Sequence, residues 1–134
     1  MREIIFRGKT MESEEWVYGF YNHIPCGRWL CDEHLIQTVK EDGRIGDLHR
    51  VYERTVGQFT GLTDKNGVKI FEGDIVRCNR FACDGKDMVG YIVYNDYWFS
   101  VKEHKTPNSP AICLCDDFEI IGNIHDNPEL LEVN

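Results

Sequence analysis

The sequence predicts a mainly β protein, with a small SH3-like barrel in the carboxyl-terminal half and an amino-terminal β unit packed on it. Aromatic and β-branched residues fall in short runs between Gly, Pro, Asn and Asp, which is typical of strands joined by turns. The helical period of about 3.6 residues never persists long enough to indicate a long helix. Between residues 70 and 124, about five such runs follow one another at the spacing of a small barrel.

Residues 1–54 are predicted to form the amino-terminal β-rich unit. Apolar and polar residues alternate in its first run, and Glu41-Asp42-Gly43 supplies a turn after its third. The segment 22–35 contains Pro25 and Gly27, so we interpret it as a loop that flanks a short strand at 28–31. The stretch from 43 to 53 is weakly patterned. The other predicted strands are 2–7, 16–21 and 35–39.

Residues 55–73 are predicted to connect the two units as a hairpin. Asn66-Gly67 stands at its centre, and this pair tolerates the positive φ that two-residue hairpin turns need. A turn at Gly73-Asp74 then leads the chain into an Ile-Val strand. The segment therefore specifies architecture, and it contains no constellation of catalytic residues.

Residues 74–134 are predicted to form the barrel, followed by a short helical turn. Pro107 and Pro110 interrupt the strands, because proline cannot donate a backbone hydrogen bond to a ladder. Asn127-Pro128-Glu129 predicts the start of the helical turn, with Asn as N-cap and Pro at the first helical position. The predicted strands are 74–80, 88–95, 97–103, 112–114 and 118–124.

Three sequence blocks run through the chain from end to end. They are MREIIFRGK at 1–9 with EWVYG at 15–19, TVGQFTGLTDKNG at 55–67 with EGDIV at 72–76, and EIIGNIHDNPELL at 119–131. These blocks resemble the YopX family of phage and prophage proteins. The resemblance implies a mostly β protein with an SH3-like carboxyl-terminal barrel, encoded in a phage or prophage genome, and it implies no particular reaction. The clustered cysteines are not part of the family pattern.

Composition and charge limit the location and the partners that we expect. No apolar run approaches the roughly 20 residues that a membrane span needs, and the amino terminus has no apolar signal region. We therefore expect a protein of the bacterial host's cytoplasm that makes no membrane contact. The formal net charge is −8, with −2 in residues 1–54 and −6 in residues 55–134. This acidity opposes binding to duplex nucleic acid, which needs clustered Lys and Arg.

His23, Cys26, Cys31 and His34 have the ligand types that zinc prefers, imidazole and thiolate. All four fall within twelve residues, whereas structural zinc sites usually draw two pairs of ligands from separate turns. We therefore favour a surface loop with thiols and expect no bound metal or cofactor. A zinc-dependent or hydrolytic enzyme built on Cys26, Cys31 and His34 is the most distant alternative. The acidic pair Asp32-Glu33 is interpreted as part of a solvated surface.

The other four cysteines lie in the carboxyl-terminal half. Their spacing fits no common zinc or thioredoxin-like motif, and they alternate with apolar neighbours. We interpret them as ordinary strand residues that stay as thiols in a reducing compartment. They are Cys78, Cys83, Cys113 and Cys115.

Aromatic residues crowd the middle of the predicted barrel, at Tyr91, Tyr94, Tyr97, Trp98 and Phe99. We expect some of them to fill the core and others to form a contact surface. The function that we expect is that of a non-enzymatic accessory protein working through protein–protein contacts, either as a homo-oligomer or with a host protein. The alternative is a nucleic-acid-associated module that stacks single strands on exposed aromatic side chains. A basic groove would favour the alternative.

Overall fold

The structure is a computed structural model, and it describes residues 5–25, 32–103 and 109–131. The chain divides into two compact units, Met1–Phe59 and Thr60–Asn134. Within the described ranges, ten strands form two antiparallel sheets, and the helical elements are three short 3-10 turns. The prediction of a mainly β protein is confirmed. The finer division into 1–54, a connection at 55–73 and 74–134 stays a prediction, as does the packing of one unit on the other.

The first unit is built on a sheet in which the strands lie in the order β4-β3-β2-β1-β5. The buried apolar side chains of this unit include Leu35, Ile36, Val51 and Phe59. The sheet is tight at Gly19, where a Cβ would lie only 2.0 Å from the carbonyl oxygen of Gln37. The strands are β1 (Phe6–Lys9), β2 (Trp16–Ile24), β3 (Glu33–Val39), β4 (Ile45–Arg50) and β5 (Gly57–Thr63), with a 3-10 turn at Glu53–Thr55 before β5.

The second unit begins within β5, which pairs with β6 in a hairpin and is followed by a four-stranded sheet in the order β10-β7-β8-β9. The two edges of that sheet are β10 and β9, and it does not close on itself, so the predicted SH3-like barrel is not confirmed. The strands are β6 (Lys69–Phe71), β7 (Asp74–Asn79), β8 (Asp87–Tyr94), β9 (Phe99–Lys102) and β10 (Asp116–Asn123). The 3-10 turns are Ile112–Leu114 and Pro128–Leu131.

The core of the second unit follows from strand alternation on β7 and β8. Val76 and Cys78 point to the same side of β7, and Met88 and Ile92 do so on β8. Burying each large apolar side chain contributes roughly 1.5 to 3 kcal/mol of hydrophobic free energy. The buried cluster consists of Ile70, Val76, Cys78, Met88, Ile92, Phe99, Val101, Cys115 and Phe118.

The turn between β5 and β6 differs in type from the predicted one. The Asp64 N–H donates to the Val68 carbonyl at 2.8 Å, and the Gly67 N–H donates to the Asp64 carbonyl at 2.9 Å. Gly67 alone in this turn has a positive φ, of 81°, whereas a two-residue type I′ turn needs positive φ at both central residues. The turn is therefore wider than the two-residue hairpin that Asn66-Gly67 predicted.

Three other sequence predictions need correction. Residues 22–35 are not a loop throughout, because β2 continues to Ile24 and β3 begins at Glu33; the predicted strand at 28–31 lies outside the described residues. The weakly patterned stretch contains a strand, β4. Residues 112–114 form a 3-10 turn instead of a closing strand, because the N–H groups of Leu114 and Cys115 bond back to the carbonyls of Ala111 and Ile112.

Candidate functional site

One face of the sheet in the first unit exposes large apolar side chains on three adjacent strands. Phe20 on β2 lies opposite Gln37 on β3, which lies opposite Leu48 on β4. In the next row Val39 lies opposite Ile45. Tyr18 is on the same face of β2 as Phe20, two residues away. We call these five apolar residues the apolar face: Tyr18 (48% exposed), Phe20 (57%), Val39 (44%), Ile45 (70%) and Leu48 (54%).

The apolar face was not predicted from the sequence. In β2, Val17 precedes Tyr18 and Tyr21 follows Phe20, so apolar or aromatic residues also fall on the opposite side, where both are partly buried. A strand that is apolar on both faces is expected to be packed against other groups on both faces. This pattern in β2 was the feature of the sequence from which the apolar face could have been predicted. The rest of the face depends on β4, which lies in a stretch where the sequence predicted no strand.

A second exposed apolar group lies in the turn between β8 and β9. Tyr94 is 46%, Tyr97 82% and Trp98 52% exposed, and we call this group the aromatic turn. Its backbone is held by Asn95, whose Oδ1 accepts hydrogen bonds from the N–H of Tyr97 at 3.1 Å and of Trp98 at 3.0 Å. Asp96 adopts a positive φ of 80°, a turn conformation that Asp tolerates, and its carbonyl accepts a hydrogen bond from the Tyr94 hydroxyl at 3.2 Å.

The structure separates the five aromatic residues proposed as an interaction surface. Phe99 is buried in the core of the second unit, with its ring centroid 4.9 Å from that of Tyr94. Tyr91 is half-buried on β8. Tyr97 and Trp98 lie side by side with ring centroids 6.1 Å apart. The exposed part of the predicted surface is therefore the aromatic turn alone.

A polar cluster lies on the other face of the first unit's sheet, where β2 ends and β3 begins. His23 and His34 occupy directly paired positions, and their rings stack with centroids 4.5 Å apart and planes 4° from parallel. Asp32 Oδ2 lies 2.9 Å from His23 Nε2. One ligand atom each from His23, Asp32 and His34 lies within 4.8 Å of the other two. We call these three residues the histidine cluster.

Two further residues contact the histidine cluster through His34. The Tyr21 hydroxyl lies 2.5 Å from His34 Nδ1, and Glu53 Oε2 lies 3.5 Å from His34 Nε2. Burial raises the pKa of Tyr21, and the negative charges of Glu53 and Asp32 raise it further. Tyr21 therefore stays a neutral phenol beside the imidazole of His34.

The structure brings together two of the four predicted zinc ligands. His23 and His34 are neighbours across the two strands, whereas Cys26 and Cys31 lie outside the described residues. Asp32, interpreted from the sequence as a solvated acid, is the third member of the cluster. Its contribution follows from strand register, which places the end of β2 beside the start of β3.

The four other cysteines divide into two pairs by exposure. Cys78 and Cys115 are buried, and Cys83 and Cys113 are exposed. The pKa of Cys78 is raised because its S–H donates a hydrogen bond to the Cys115 sulfur and because the site is buried. Cys78 is thus held as a thiol, in agreement with its interpretation as a packed strand residue.

Comparison with known proteins places this chain in a family. A family model described as YopX protein matches residues 5–132. The chain belongs to the YopX family. The resemblance seen in the three sequence blocks is confirmed over nearly the whole chain.

A solved structure is similar to this YopX-family chain over nearly its full length. The crystal structure of protein EF1440 from Enterococcus faecalis matches with a TM-score of 0.56 and 25% sequence identity, covering 98% of this chain and 99% of that chain. A comparison with curated proteins finds no match. The apolar face, the histidine cluster and the aromatic turn all fall within the residues that the YopX model matches. Among the described residues, no helix is long and apolar enough to cross a membrane.

Proposed function

We propose that this YopX-family protein is a non-enzymatic protein–protein interaction module of a phage or prophage, acting in the cytoplasm of the bacterial host, and that the apolar face is its contact surface. The observation that carries the proposal is the alignment of five exposed apolar side chains in two rows across β2, β3 and β4. Soluble proteins rarely leave such contiguous apolar surface uncovered unless it binds a partner.

The occupant that we propose is a second copy of this chain. An antiparallel sheet face can pack on another sheet face at a separation of about 10 Å, and the same face on two copies is self-complementary about a twofold axis. The two rows contain one polar side chain, Gln37, and no charged one. The net charge of −8 is therefore not concentrated where the copies would meet, and salt screens the rest beyond about 8 Å at physiological ionic strength.

The expected affinity is modest. Each half-exposed apolar side chain gains roughly 1 kcal/mol when it is fully covered, so the five side chains of each copy together contribute on the order of 10 kcal/mol to the dimer. Association costs an estimated 4 to 15 kcal/mol or so in lost translational and rotational freedom. Contacts around the face must add to this total. We expect a reversible dimer with a dissociation constant in the micromolar range or weaker, which corresponds to a binding free energy of about −8 kcal/mol or a less negative value.

Sedimentation velocity over protein concentrations from about 1 μM to 1 mM tests the proposal, since that range brackets the expected affinity. We compare Phe20→Lys, in the apolar face, with Phe81→Lys, which is matched because Phe81 is 55% exposed and Phe20 57%. The proposal predicts a dimer that Phe20→Lys abolishes and Phe81→Lys preserves, with thermal unfolding verifying that both variants fold. A protein that stays monomeric throughout, or a dimer that both variants disrupt equally, contradicts self-association through this face.

The aromatic turn supports a second candidate function, binding of single-stranded nucleic acid. Tyr97 and Trp98 present adjacent exposed rings, and bases stack on such side chains without sequence preference, at about 1 to 3 kcal/mol per base. As part of this second candidate we propose that residues 74–134 are related to the SH3-like barrels. Small barrels commonly bind nucleic acids through aromatic side chains and loops. Quenching of tryptophan fluorescence by an unlabelled oligothymidine, absent in Trp98→Ala, would support it. Unchanged fluorescence at millimolar nucleotide excludes it.

A further inference from the structure

We propose that His23, Asp32 and His34 bind a divalent transition-metal ion of the zinc type, through two imidazole nitrogens and one carboxylate oxygen, with a remaining position open to solvent or to an added ligand. This site differs from the set of His23, Cys26, Cys31 and His34 that the sequence suggested. It adds a carboxylate and needs neither cysteine.

Strand pairing preassembles the three ligands. His23 and His34 are cross-strand partners, and Asp32 immediately precedes β3, so the backbone holds all three at one end of the β2–β3 ladder. Their ligand atoms lie within 4.8 Å of one another, and His23 Nε2 and Asp32 Oδ2 are already 2.9 Å apart. Zinc binds nitrogen and oxygen at about 2.0 to 2.2 Å, which requires ligand atoms roughly 3.3 Å apart in a tetrahedral site. The site forms when the exposed side chains of His23 and Asp32 rotate toward the fixed ring of His34.

His34 is oriented for coordination by its other contacts. Its side chain is only 9% exposed, which restricts ring rotation, and its Nδ1 is within hydrogen-bond distance of the Tyr21 hydroxyl. When Nε2 binds a metal, Nδ1 carries the proton and donates it in a hydrogen bond to the Tyr21 oxygen. Such support of the second ring nitrogen is usual in metal-binding histidines.

The other two ligands provide access from solvent. The side chains of His23 and Asp32 are 43% and 46% exposed, so an ion reaches the site without any opening of the sheet. Glu53 Oε2, 3.5 Å from His34 Nε2, adds negative charge beside the site. One carboxylate with a second nearby offsets the charge of a divalent cation.

The donor set selects the class of metal. Two imidazoles and one carboxylate suit zinc and neighbouring transition metals, whereas magnesium and calcium prefer sites made of oxygen ligands. Three protein ligands leave a fourth tetrahedral position, as in zinc sites that hold a water molecule or an exogenous ligand. The prediction is thus one zinc-type ion per chain, bound without thiolate.

Titration of the metal-free, reduced protein tests the site. Isothermal titration calorimetry with ZnCl₂ gives stoichiometry and affinity, MgCl₂ is the probe for non-selective binding, and the absorption spectrum of the Co(II)-loaded protein reports the ligands. We expect one zinc per chain, no measurable magnesium binding, and a Co(II) spectrum without thiolate charge-transfer bands. Zinc should also raise the melting temperature, because it binds the folded state preferentially.

Four variants separate this site from its alternatives. His23→Gln and Asp32→Asn replace exposed ligands conservatively, so both should fold, and each should weaken zinc binding by about tenfold or more. His49→Gln, on β4 of the same sheet, is the matched control and should bind zinc as the unaltered chain does. Cys26→Ser/Cys31→Ser should also bind normally. Absence of zinc binding at 100 μM or so, or binding that the cysteine variant abolishes and Asp32→Asn leaves intact, overturns the proposal.

Discussion

The carboxylate of Asp64 and the backbone N–H of Ile120 form a hydrogen bond of 3.2 Å between residues 56 positions apart in the sequence. The same carboxylate accepts hydrogen bonds from the N–H groups of Asn66 and Val68, both at 2.9 Å. Beside it, the Lys65 N–H donates to the Phe118 carbonyl at 2.9 Å. Asp64 thus closes the β5–β6 turn and fastens that turn to β10.

Asp64→Asn should lower stability and reduce its dependence on pH. Burial alone would raise the pKa of Asp64, but hydrogen bonds from Val68, Ile120 and Asn66, together with Lys65, hold it below its ordinary value. A carboxyl whose pKa is lower in the folded state stabilises the protein above its unfolded pKa, near 4, and loses this contribution as pH falls through the folded pKa. We expect Asp64→Asn to cost about 1 to 3 kcal/mol at pH 7.

Urea unfolding at pH 7 and between about pH 5 and 2 measures both effects, because these values bracket the titration of a lowered Asp. The stability difference between the unaltered chain and Asp64→Asn should shrink as the solution becomes acidic. Asp47→Asn is a useful control, since Asp47 is exposed on β4 and its backbone makes the hydrogen bonds seen at that position. A difference that stays constant over the whole range would mean that the charge of Asp64 contributes nothing.

Gly67→Val should destabilise the β5–β6 turn through the backbone. Gly67 has φ of 81°, and a Cβ built there meets no atom within 4 Å, so a steric clash is not the cause. A β-branched residue is strained in this left-handed region by roughly 1 to 2 kcal/mol or more. Gly67→Asn is the matched control, because Asn tolerates positive φ. Thermal unfolding should rank the unaltered chain above Asn and Asn above Val; equal melting temperatures for the two variants would refute the assigned backbone conformation.

The buried and exposed cysteines should differ in reactivity. Cys83 and Cys113 are exposed, whereas Cys78 and Cys115 are buried, and Cys78 has a raised pKa. Alkylation needs access of the reagent and the thiolate form. Burial limits access at both residues, and the raised pKa disfavours the thiolate of Cys78, whereas the hydrogen bond from Cys78 lowers the pKa of Cys115. We expect native alkylation by iodoacetamide at pH 8 to be at least about tenfold slower at the buried pair, with Cys78 the slower of the two. Peptide mass spectrometry over time measures the four rates separately. In urea the rates should converge, and similar rates in the folded protein would show that the pair is accessible.

Ser100→Ala should leave stability unchanged or increase it. Ser100 is 1% exposed on β9, and its hydroxyl has no hydrogen-bond partner among the described residues. A buried hydroxyl without a partner costs free energy relative to an apolar group of similar size. Thr60→Ala is an informative comparison, since the Thr60 hydroxyl donates to the Ile70 carbonyl at 2.8 Å and should be costly to remove. Equal losses in both variants would indicate that Ser100 has a partner after all.

Sequence patterns predicted the strands of the second unit where alternation and turn residues agree. Met88 and Ile92 fall on one side of β8, and Asn95 and Asp96 form the turn that follows it. The prediction was wrong at residues 112–114, where an apolar run was interpreted as a strand. Hydrogen bonds between neighbouring backbone groups hold that segment as a 3-10 turn. A run of three apolar residues is too short to distinguish a strand from such a turn.

The candidate sites were harder to predict, because they depend on register between strands. His23 and His34 are separated by ten residues, and only their pairing across β2 and β3 stacks the two rings. The apolar face depends in the same way on the bulged register that sets Val39 opposite Ile45. Sequence reasoning singled out both histidines, but it grouped them with cysteines near them along the chain. It also grouped Tyr94, Tyr97 and Trp98, which are exposed, with the buried Phe99 and the half-buried Tyr91.

The final prediction is that the protein does not bind duplex DNA at physiological salt. Duplex binding is driven by Lys and Arg that displace counterions from several phosphates. In this chain Lys65 and Arg77 both pair with Glu119, at 3.1 and 2.8 Å, and Arg50 pairs with Glu33 at 2.9 Å. These cations are partly neutralised where they stand, and the charge of −6 on residues 55–134 opposes the approach of a polyanion. Fluorescence anisotropy with a labelled duplex at about 50 and 200 mM salt should show no saturable binding below roughly 100 μM protein, with the matching single strand as the comparison. Micromolar duplex binding that weakens steeply with salt would reveal a basic surface and disprove this expectation.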